Sequence, residues 1–311
     1  MNFVVGARGS KLSQAQTNWV ISELQKIDPS ASFEFKTITT KGDMDTRPLF
    51  AMEQKGIFEK EIDRAVFEKK IDFAVHSLKD VPSQLDENLI IASIPKREAI
   101  NDVLITRDGS DIGSIPSGSV IGSSSLRRAV QIIRKRPDLN VKPIRGNIET
   151  RINKVIDRKF YGVILAQAGI TRLGINVKLS KLSLDDFPPS PGQGAIAIVC
   201  RKDNSKTLEL LQQIEDPKSR QEIEAERALS NSVDSGCRFP VGAFAVSNSD
   251  LLTLKVAVYS MDGKKSIILE KTDHTDNAIE LGKSLGHELR NRGVSEIASN
   301  WREELEEWNK Q

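Results

Sequence analysis

Two stretches of the chain concentrate the side chains best suited to binding an anionic ligand. The first is Ser123-Ser-Ser-Leu-Arg-Arg128, and the second begins at Arg145 and ends at Arg151. Serine hydroxyls and free backbone N–H groups where a strand gives way to a helix form a site for anions, and the helix dipole favours negative charge there. Because each guanidinium can hold a carboxylate through two parallel hydrogen bonds, the pattern indicates a ligand with many carboxylates. A serine-capped helix with a solvated basic face would show the same residues, so this segment alone leaves both interpretations open.

A second polar group follows another predicted strand. Lys79 and Asp80 come just after the apolar stretch Ile71–Val75, where strand ends in open α/β sheets meet their ligands. A solvated turn would use the same two residues. His76 fits a structural histidine with satisfied hydrogen bonds. One carboxylate among many guanidinium groups suggests a ligand that is acidic at its rim and develops positive charge at its reacting centre.

The two cysteines differ in their surroundings. Cys200 ends the apolar run that begins at Ala195, so we expect a buried, inert thiol. Cys237 lies in a predicted loop between Gly236 and Arg238, where a neighbouring guanidinium favours the thiolate. A nucleophile or attachment point and an incidental loop cysteine both fit this position. No histidine lies close to it in sequence, which argues against a cysteine–histidine hydrolase.

The elements that must position these groups follow one pattern used twice. An apolar strand, a polar turn, helices and a second buried strand occur from Phe3 to Val75 and again from Val120 to Leu165. This order is typical of two doubly wound α/β lobes. In such folds ligands bind beyond the carboxyl ends of the strands, which is where the polar residues above are placed.

We expect three domains in this chain. Residues 1–95 and 195–215 form the first α/β lobe, because the apolar run at 195–200 is interpreted as a strand that returns to it. Residues 101–188 form the second lobe. Residues 216–311 form a smaller C-terminal α+β domain with three short strands and two final helices, the last containing Trp301 and Trp308. The connections between the lobes, rich in proline, glycine and charge, are typical of hinges.

Composition excludes several classes of protein. Of the 311 residues, 38% are hydrophobic and 28% charged, as in a soluble globular protein. Lys and Arg number 45 against 43 Asp and Glu, and the net charge of +2 argues against broad nucleic-acid binding. No run approaches the roughly 20 apolar residues of a membrane span, and the chain opens with a strand rather than a signal peptide. Two cysteines give neither a disulfide framework nor a metal site, so we expect a cytoplasmic protein without a metal.

Taken together, these segments closely resemble the porphobilinogen deaminase family. The resemblance runs nearly from end to end, and the order and spacing of the motifs make it specific. The shared motifs are Ala7-Arg-Gly-Ser10, Lys55-Gly56, His76-Ser-Leu-Lys-Asp-Val-Pro82, Ser124-Ser-Leu-Arg-Arg128, Arg145-Gly-Asn147, Thr150-Arg151, Leu165-Ala166, Ala168-Gly169, Arg172-Leu-Gly174, Gly192-Gln-Gly-Ala195 and Gly236-Cys237 with Pro240 and Gly242.

The resemblance implies a transferase of tetrapyrrole biosynthesis, with two doubly wound lobes of the periplasmic-binding-protein type. Nothing in the sequence suggests an extended apolar interface, so we expect a monomer. The transferase would condense four porphobilinogen molecules head to tail, release ammonia at each addition, and free 1-hydroxymethylbilane with water. The family assembles a covalent dipyrromethane cofactor from its own substrate on a cysteine, which by motif match is Cys237. The family's catalytic aspartate falls on Asp80, and we expect a buried carboxylate that stabilises the positive charge formed as the amine departs. The product would pass to uroporphyrinogen-III synthase.

The resemblance also implies which side chains bind the cofactor and the substrate. Those assigned to the cofactor, besides Cys237 and Asp80, are Lys79, Ser124, Ser125, Arg127, Arg128, Arg145 and Arg151. Those assigned to the substrate are Arg8, Ser10, Lys55, Arg145, Arg151, Arg172 and Gln193. Gln193 falls in a motif that we expect at a hinge near the binding cleft.

The sequence also departs from the family pattern in places. Ser123 stands where many members have threonine. Ala51-Met-Glu-Gln54 precedes Lys55 where many bacterial members have a lysine and a glycine pair, so we expect a less flexible loop there.

Two other classes of protein are rivals to this interpretation. A solute-binding protein would normally carry an export signal and has no use for the loop around Cys237. The ligand-sensing part of a transcription regulator would require a helix-turn-helix, whereas this chain begins with a strand.

Overall fold

The computed structural model describes residues 1–40, 59–82, 84–233 and 240–297, together with Glu303 and Glu307. Among these residues the chain divides into two compact units. Unit 1 takes the described residues within 1–47, 52–98 and 194–220, and unit 2 takes those within 99–193 and 221–311. The division into three domains with the bounds given above stays a prediction.

Strands and helices alternate through most of the described chain. The described strands are β1 Asn2–Ala7, β2 Ser32–Thr37, β3 Phe73–Ser77, β4 Leu89–Ser93, β5 Asp102–Thr106, β6 Val120–Ser123, β7 Asn140–Pro143, β8 Gly162–Ala166, β9 Ser180–Lys181, β10 Ile196–Arg201, β11 Val241–Asn248, β12 Leu251–Tyr259 and β13 Ser266–His274. The described α-helices are α1 Lys11–Ile27, α2 Lys60–Phe67, α3 Leu126–Lys135, α4 Ile148–Ile156, α5 Gln167–Arg172, α6 Ser205–Gln212, α7 Pro217–Val233, α8 Ala278–Asn291 and α9 Val294–Ile297. Short 3-10 turns lie at Leu78–Asp80 and Thr275–Asn277.

Unit 1 is built on a mixed sheet whose described strands follow the order β2-β1-β3-β10-β4. β1 pairs in parallel with β2 and β3, whereas β10 runs antiparallel to β3 and β4. Because side chains alternate across a strand, Phe73 and Val75 pack on one face with Leu24 of α1, and Ala74 packs on the other with Ile62 of α2. Helices therefore cover both faces of this sheet.

Unit 2 contains a second mixed sheet, with the described strands in the order β7-β6-β8-β5-β9. β6 is parallel to β7 and β8, and β5 is antiparallel to β8 and β9. Leu104 and Ile164 pack on one face with Ile132 of α3, and Val163 packs on the other with Ile152 of α4. The two faces again bury separate hydrophobic cores.

The C-terminal part of unit 2 has a different architecture. Its described strands β11, β12 and β13 form an antiparallel sheet in that order. Leu254 and Val256 of β12 pack against Leu229 of α7 and Leu285 of α8. Helices thus cover one face of an antiparallel sheet, which is the arrangement of an α+β domain.

The predicted fold class, two doubly wound α/β lobes and a smaller C-terminal α+β domain, is confirmed by these three sheets. Two helices are shorter than their apolar periodicity predicts, because left-handed backbone follows them. The sequence predicts a helix from Glu59 to Lys69, whereas α2 ends at Phe67 and Lys69 has a φ of 60°. It likewise predicts a helix from Ile148 to Lys159, whereas α4 ends at Ile156 and Arg158 has a φ of 61°. Trp301 and Trp308 lie outside the described residues.

Candidate functional site

The serine-rich segment joins β6 to α3 as its sequence predicts. α3 begins at Leu126 with Ser125 as its N-cap. The Ser123 hydroxyl accepts the Ser125 N–H at 3.1 Å, and the Ser124 hydroxyl donates to the Ile144 carbonyl at 2.6 Å. Those two hydroxyls therefore shape the turn. The Ser125 side chain makes no capping hydrogen bond, so the N-terminus of α3 keeps the N–H groups and dipole that favour an anion.

Arg127 and Arg128 extend from the first turn of α3 into the interior of unit 2, and each is only 6% exposed. Both reach Asp102 at the start of β5. Arg127 Nη2 donates to Asp102 Oδ2 at 2.9 Å, and Arg128 Nη2 donates to Asp102 Oδ1 at 2.7 Å. Burial alone would raise the pKa of the Asp102 carboxyl, but the two guanidinium groups hold that pKa well below its usual range.

The remaining N–H groups of Arg127 and Arg128 differ in their hydrogen-bond partners. Arg127 Nη1 donates to the Gln131 side-chain oxygen at 2.9 Å and to the Pro188 carbonyl at 2.8 Å. Arg128 Nη1 makes a longer contact, 3.4 Å, with the Ile164 carbonyl. Among the described residues, the buried Nε of Arg128 has no hydrogen-bond partner. A buried donor without an acceptor costs about 1–3 kcal/mol, so Arg128 presents an N–H group that an anionic ligand would satisfy.

The second basic segment forms the start of α4. Asn147 is its N-cap and accepts a backbone N–H of the first turn at 2.8 Å. Gly146 has a φ of 115°, and its carbonyl accepts Arg151 Nε at 2.7 Å. Arg145 is exposed, whereas Arg151 is half-buried. Burial, and secondarily the positive charge of Arg128, lower the pKa of Arg151 to about 10, so the guanidinium groups of the two segments act on one another.

Gln193 joins the same group of side chains and is 1% exposed. Its Nε2 donates to Asp102 Oδ1 at 2.8 Å and to the Ile100 carbonyl at 2.7 Å, and its Oε1 accepts Arg128 Nη2 at 3.3 Å. Asp102 therefore contacts three residues that the resemblance assigns to the cofactor or the substrate. Arg172, also assigned to the substrate, is the last residue of α5 and is half-buried.

Unit 1 holds a second group, beyond the carboxyl ends of β1 and β3. Arg8 and Ser10 follow β1, and the Ser10 hydroxyl accepts a backbone N–H in the first turn of α1 at 3.3 Å. Lys79 and Asp80 lie in the 3-10 turn after β3. The expectation of a buried Asp80 is wrong, because this turn buries Leu78 and leaves the next two side chains exposed.

Glu59, which the sequence analysis did not single out, is a buried carboxyl in this second group. It is 4% exposed and is the residue before α2. Burial raises the pKa of Glu59 to about 8, the negative charges of Asp80 and Asp63 add to the shift, and the positive charge of Arg8 opposes it. His76 is buried with its Nε2 3.2 Å from Asp63 Oδ1, as expected of a structural histidine.

Asp102 was also missed by sequence reasoning, although the sequence contained a signal. The residue precedes the apolar run Val103–Ile105, and a carboxylate beside a fully buried strand needs a cationic partner. The identity of that partner depends on the order of the strands, which brings together residues more than twenty positions apart. Glu59 gave no comparable signal, because an acidic residue before a helix is ordinary capping chemistry.

Of the two cysteines, the structure describes Cys200 but not Cys237. The prediction that Cys200 is buried is confirmed, since the residue is completely buried in β10. Burial raises the pKa of its thiol to about 12, which disfavours the reactive thiolate. Cys237 and Lys55 lie outside the described residues.

Two classes of site are absent from the described part of the chain. No group of three or more His, Cys, Asp and Glu side chains among the described residues is placed so that it could hold a metal ion. None of the helices in the ranges given above has the length and apolar character needed to cross a membrane.

Two family models match the chain. Residues 3–209 match the model described as porphobilinogen deaminase, dipyromethane cofactor binding domain, and residues 220–291 match the one described as porphobilinogen deaminase, C-terminal domain. The chain is 64% identical over 310 residues to the probable porphobilinogen deaminase of Nitrosopumilus maritimus, with 100% of each chain covered. It is 40% identical to the porphobilinogen deaminase of Brevibacillus brevis, covering 94% of this chain and 95% of the relative.

Solved structures give only a distant likeness. An arginine-specific periplasmic binding protein of Salmonella typhimurium is 14% identical, with 70% of this chain and 93% of that chain covered and a TM-score of 0.37. So distant a likeness says nothing about what this chain binds.

Proposed function

The chain belongs to the porphobilinogen deaminase family, and on this premise we propose which of its residues carry out the reaction. It is a transferase that condenses four porphobilinogen molecules head to tail, releases ammonia, and hydrolyses off 1-hydroxymethylbilane in tetrapyrrole biosynthesis. Its cofactor is dipyrromethane, which when bound supplies the pyrrole chain to which each new ring is joined.

The donor set of unit 2 fits a cofactor that carries carboxylates. The observation that supports this most directly is the buried Arg128 Nε, which has no partner among the described residues. Arg151 is half-buried, and its Nε donates to the Gly146 carbonyl rather than to a carboxylate. Carboxylate oxygens would satisfy both groups through charge-assisted hydrogen bonds. The residues that we assign to the cofactor carboxylates are Lys79, Ser124, Ser125, Arg127, Arg128, Arg145 and Arg151.

Asp80 is assigned to catalysis. Ammonia departs from the protonated aminomethyl group: when the bond between its carbon and the ammonium nitrogen breaks, the electron pair leaves with ammonia and the positive charge passes to the pyrrole. A carboxylate near the ring nitrogen stabilises the charge there more than on the departing ammonium group, which accelerates the step. The exposure of Asp80 leaves its carboxylate accessible to a substrate.

The substrate carboxylates are assigned to a second set of donors, some of which also serve the cofactor. This set is Arg8, Ser10, Lys55, Arg145, Arg151, Arg172 and Gln193. The Gln193 side chain is held by Asp102 and a backbone carbonyl, so we assign it both to the ligand and to the hinge connection that follows Pro188.

We also propose that the enzyme works as a monomer in the cytoplasm and passes its product to uroporphyrinogen-III synthase. The nearly balanced charge of the chain and its lack of a cysteine framework support the location. Sedimentation velocity at micromolar concentration tests the oligomeric state, and a dimer would contradict the proposal.

The attachment point is tested by the intact mass of the purified protein under denaturing conditions. Cys237→Ala should lack the excess of two linked pyrrole units that the wild type carries, because the thioether requires this sulfur. Cys200→Ala is the matched control, since its thiol is buried and inert, and this variant should keep the excess mass.

The outcomes separate the rival functions. If the wild type is unmodified, it is incubated with porphobilinogen before the mass is measured again. Failure to form any adduct would contradict the proposed attachment and favour a binding protein for acidic ligands. An adduct that persists in Cys237→Ala would contradict the assignment of this cysteine alone.

A further inference from the structure

We propose that Asp102 is a positioning residue for cofactor binding, whose buried carboxylate fixes Arg127, Arg128 and Gln193 in the orientations in which the arginines meet the ligand carboxylates. This inference rests on the proposed assignment of the two arginines to dipyrromethane.

Both oxygens of Asp102 are used, and each holds a different side chain in place. Oδ1 accepts Arg128 Nη2 at 2.7 Å and Gln193 Nε2 at 2.8 Å, and Oδ2 accepts Arg127 Nη2 at 2.9 Å. The backbone of Asp102 is itself fixed, since β5 pairs with β8 at this residue and its carbonyl accepts the Leu182 N–H at 3.0 Å. A carboxylate anchored in the sheet therefore orients three flexible side chains.

The contact leaves Arg128 with a donor that can bind a ligand. Asp102 takes one terminal nitrogen from each guanidinium and leaves the Arg128 Nε without a partner among the described residues. The surface pair of unit 2 shows the opposite case: Arg136 donates both Nε and Nη2 to Asp138, at 2.8 and 2.7 Å. That bidentate contact uses the whole fork, whereas Asp102 orients two forks without neutralising both.

The charges around Asp102 also support a positioning role for this residue. One buried carboxylate faces two buried guanidinium groups, and the half-buried Arg151 is close enough to Arg128 for their charges to interact. Without Asp102, two buried cations would have no compensating charge, and they would turn toward water or other acceptors. With Asp102 present, they stay in place and the region keeps a net positive charge that favours a ligand with several carboxylates.

Two substitutions separate positioning from simple charge compensation. Asp102→Asn keeps the shape and removes the charge. Asp102→Glu keeps the charge, and with it the compensation of the buried arginines, but moves the carboxylate by one methylene. Glu222→Gln is the control: it removes another buried carboxylate of unit 2, one that accepts the Ser247 N–H at 3.0 Å.

The measurement is cofactor loading rather than turnover. Apo-protein is incubated with porphobilinogen at several concentrations, and the fraction carrying the two-ring adduct is followed by intact mass, with circular dichroism to confirm the fold. Both Asp102 variants should need about tenfold more porphobilinogen for half-maximal loading, the equivalent of one lost charge-assisted hydrogen bond of about 1.4 kcal/mol. Glu222→Gln should stay within about twofold of the wild type.

Each result has a distinct meaning. If Asp102→Glu is folded and loads the cofactor at the same porphobilinogen concentration as the wild type, the positioning role is overturned. Charge compensation would then be the role of Asp102. Wild-type loading by Asp102→Asn would overturn any role in cofactor binding. If the wild type itself formed no adduct, the proposed attachment would fail instead, so the two failures are distinguishable.

Discussion

Two buried carboxyl groups, Glu59 in unit 1 and Asp102 in unit 2, have opposite electrostatic surroundings. Burial raises the pKa of Glu59 to about 8, and the nearby carboxylates Asp80 and Asp63 add to that shift. Burial alone would raise the pKa of Asp102 as well, but two guanidinium groups outweigh it and hold the pKa far below its usual range. The same chemical group is therefore stabilised in its neutral form in one unit and in its charged form in the other.

On the proposed assignments, this difference corresponds to two tasks in one reaction. Around Asp102, two buried guanidinium groups face one carboxylate, which suits the acetate and propionate groups that every pyrrole brings. In the described part of unit 1, the carboxyl groups of Glu59, Asp63 and Asp80 lie close enough to influence one another, which suits the positive charge that forms when ammonia leaves.

The largest effect is expected for Asp80→Asn. The amide is the same size but cannot offset the positive charge on the pyrrole, so turnover should fall about 10²- to 10³-fold, the usual cost of removing one group that stabilises transition-state charge. Steady-state rates with porphobilinogen, measured on protein already loaded with cofactor, give the answer. Thermal unfolding should be nearly unchanged because Asp80 is exposed.

Asp86→Asn is the matched control for Asp80. Asp86 is another exposed aspartate of unit 1, and its Oδ1 accepts the Asn88 N–H at 2.9 Å. This variant should turn over like the wild type. A comparable loss in both variants would mean that the net charge of unit 1, rather than the carboxylate of Asp80, supports the reaction.

A smaller effect is expected for Arg151→Gln in unit 2. Losing one charge-assisted contact with a carboxylate should raise the porphobilinogen concentration for half-maximal rate about tenfold, with less change in the maximal rate. Because the substitution also removes a half-buried cation that interacts unfavourably with Arg128, it should not lower the melting temperature. Lys159→Gln, which removes an exposed charge after α4, should leave both quantities unchanged. A loss of stability in Arg151→Gln with unaltered kinetics would make Arg151 a structural residue.

Much of this arrangement could be predicted from the sequence because it depends on local patterns. The junction at Ser125 follows from a short apolar strand, polar turn residues and apolar residues at helical spacing. The return of the strand at Ile196–Arg201 to unit 1 follows from an apolar run flanked by glycine. Both signals lie within a dozen residues, which is the range over which such patterns are informative.

The charges of the site could not be predicted in the same way. Nothing near Asp102 in sequence identifies Arg127 and Arg128 as its partners, because strand order brings them together. The exposure of Asp80 depends on a single 3-10 turn that buries Leu78, and no periodic pattern fixes so short an element. Residue types were sufficient to propose the chemistry, whereas the balance of charge around each carboxyl required the fold.

The last effect concerns stability rather than the reaction, and it is the most direct test of the contrast between the two units. It is the pH dependence of the free energy of unfolding in Glu59→Gln. In the folded protein Glu59 keeps its proton up to about pH 8, whereas the unfolded chain loses it near the ordinary value of 4.5. Between those values the folded state binds more protons, so Glu59 makes the free energy of unfolding decrease as pH rises. Glutamine has no such titration, so the free energy of unfolding of the variant should rise relative to that of the wild type from about pH 5 to about pH 8. The rise should reach up to several kcal/mol, since the pKa moves from 4.5 to about 8 and one pKa unit corresponds to about 1.4 kcal/mol.

Urea unfolding at several pH values across that window provides the measurement, and Glu68→Gln provides the control. The pKa of Glu68 is lowered by its hydrogen bonds with Lys70 and Arg64, so this carboxylate is ionised in both states throughout the window. The difference between Glu68→Gln and the wild type should therefore stay constant with pH. If the difference for Glu59→Gln stayed constant as well, Glu59 would be ionised in the folded protein. Cations such as Arg8 would then offset the charges of Asp80 and Asp63 around Glu59, and this cluster of carboxyl groups could not be what supports the charge at the reacting pyrrole.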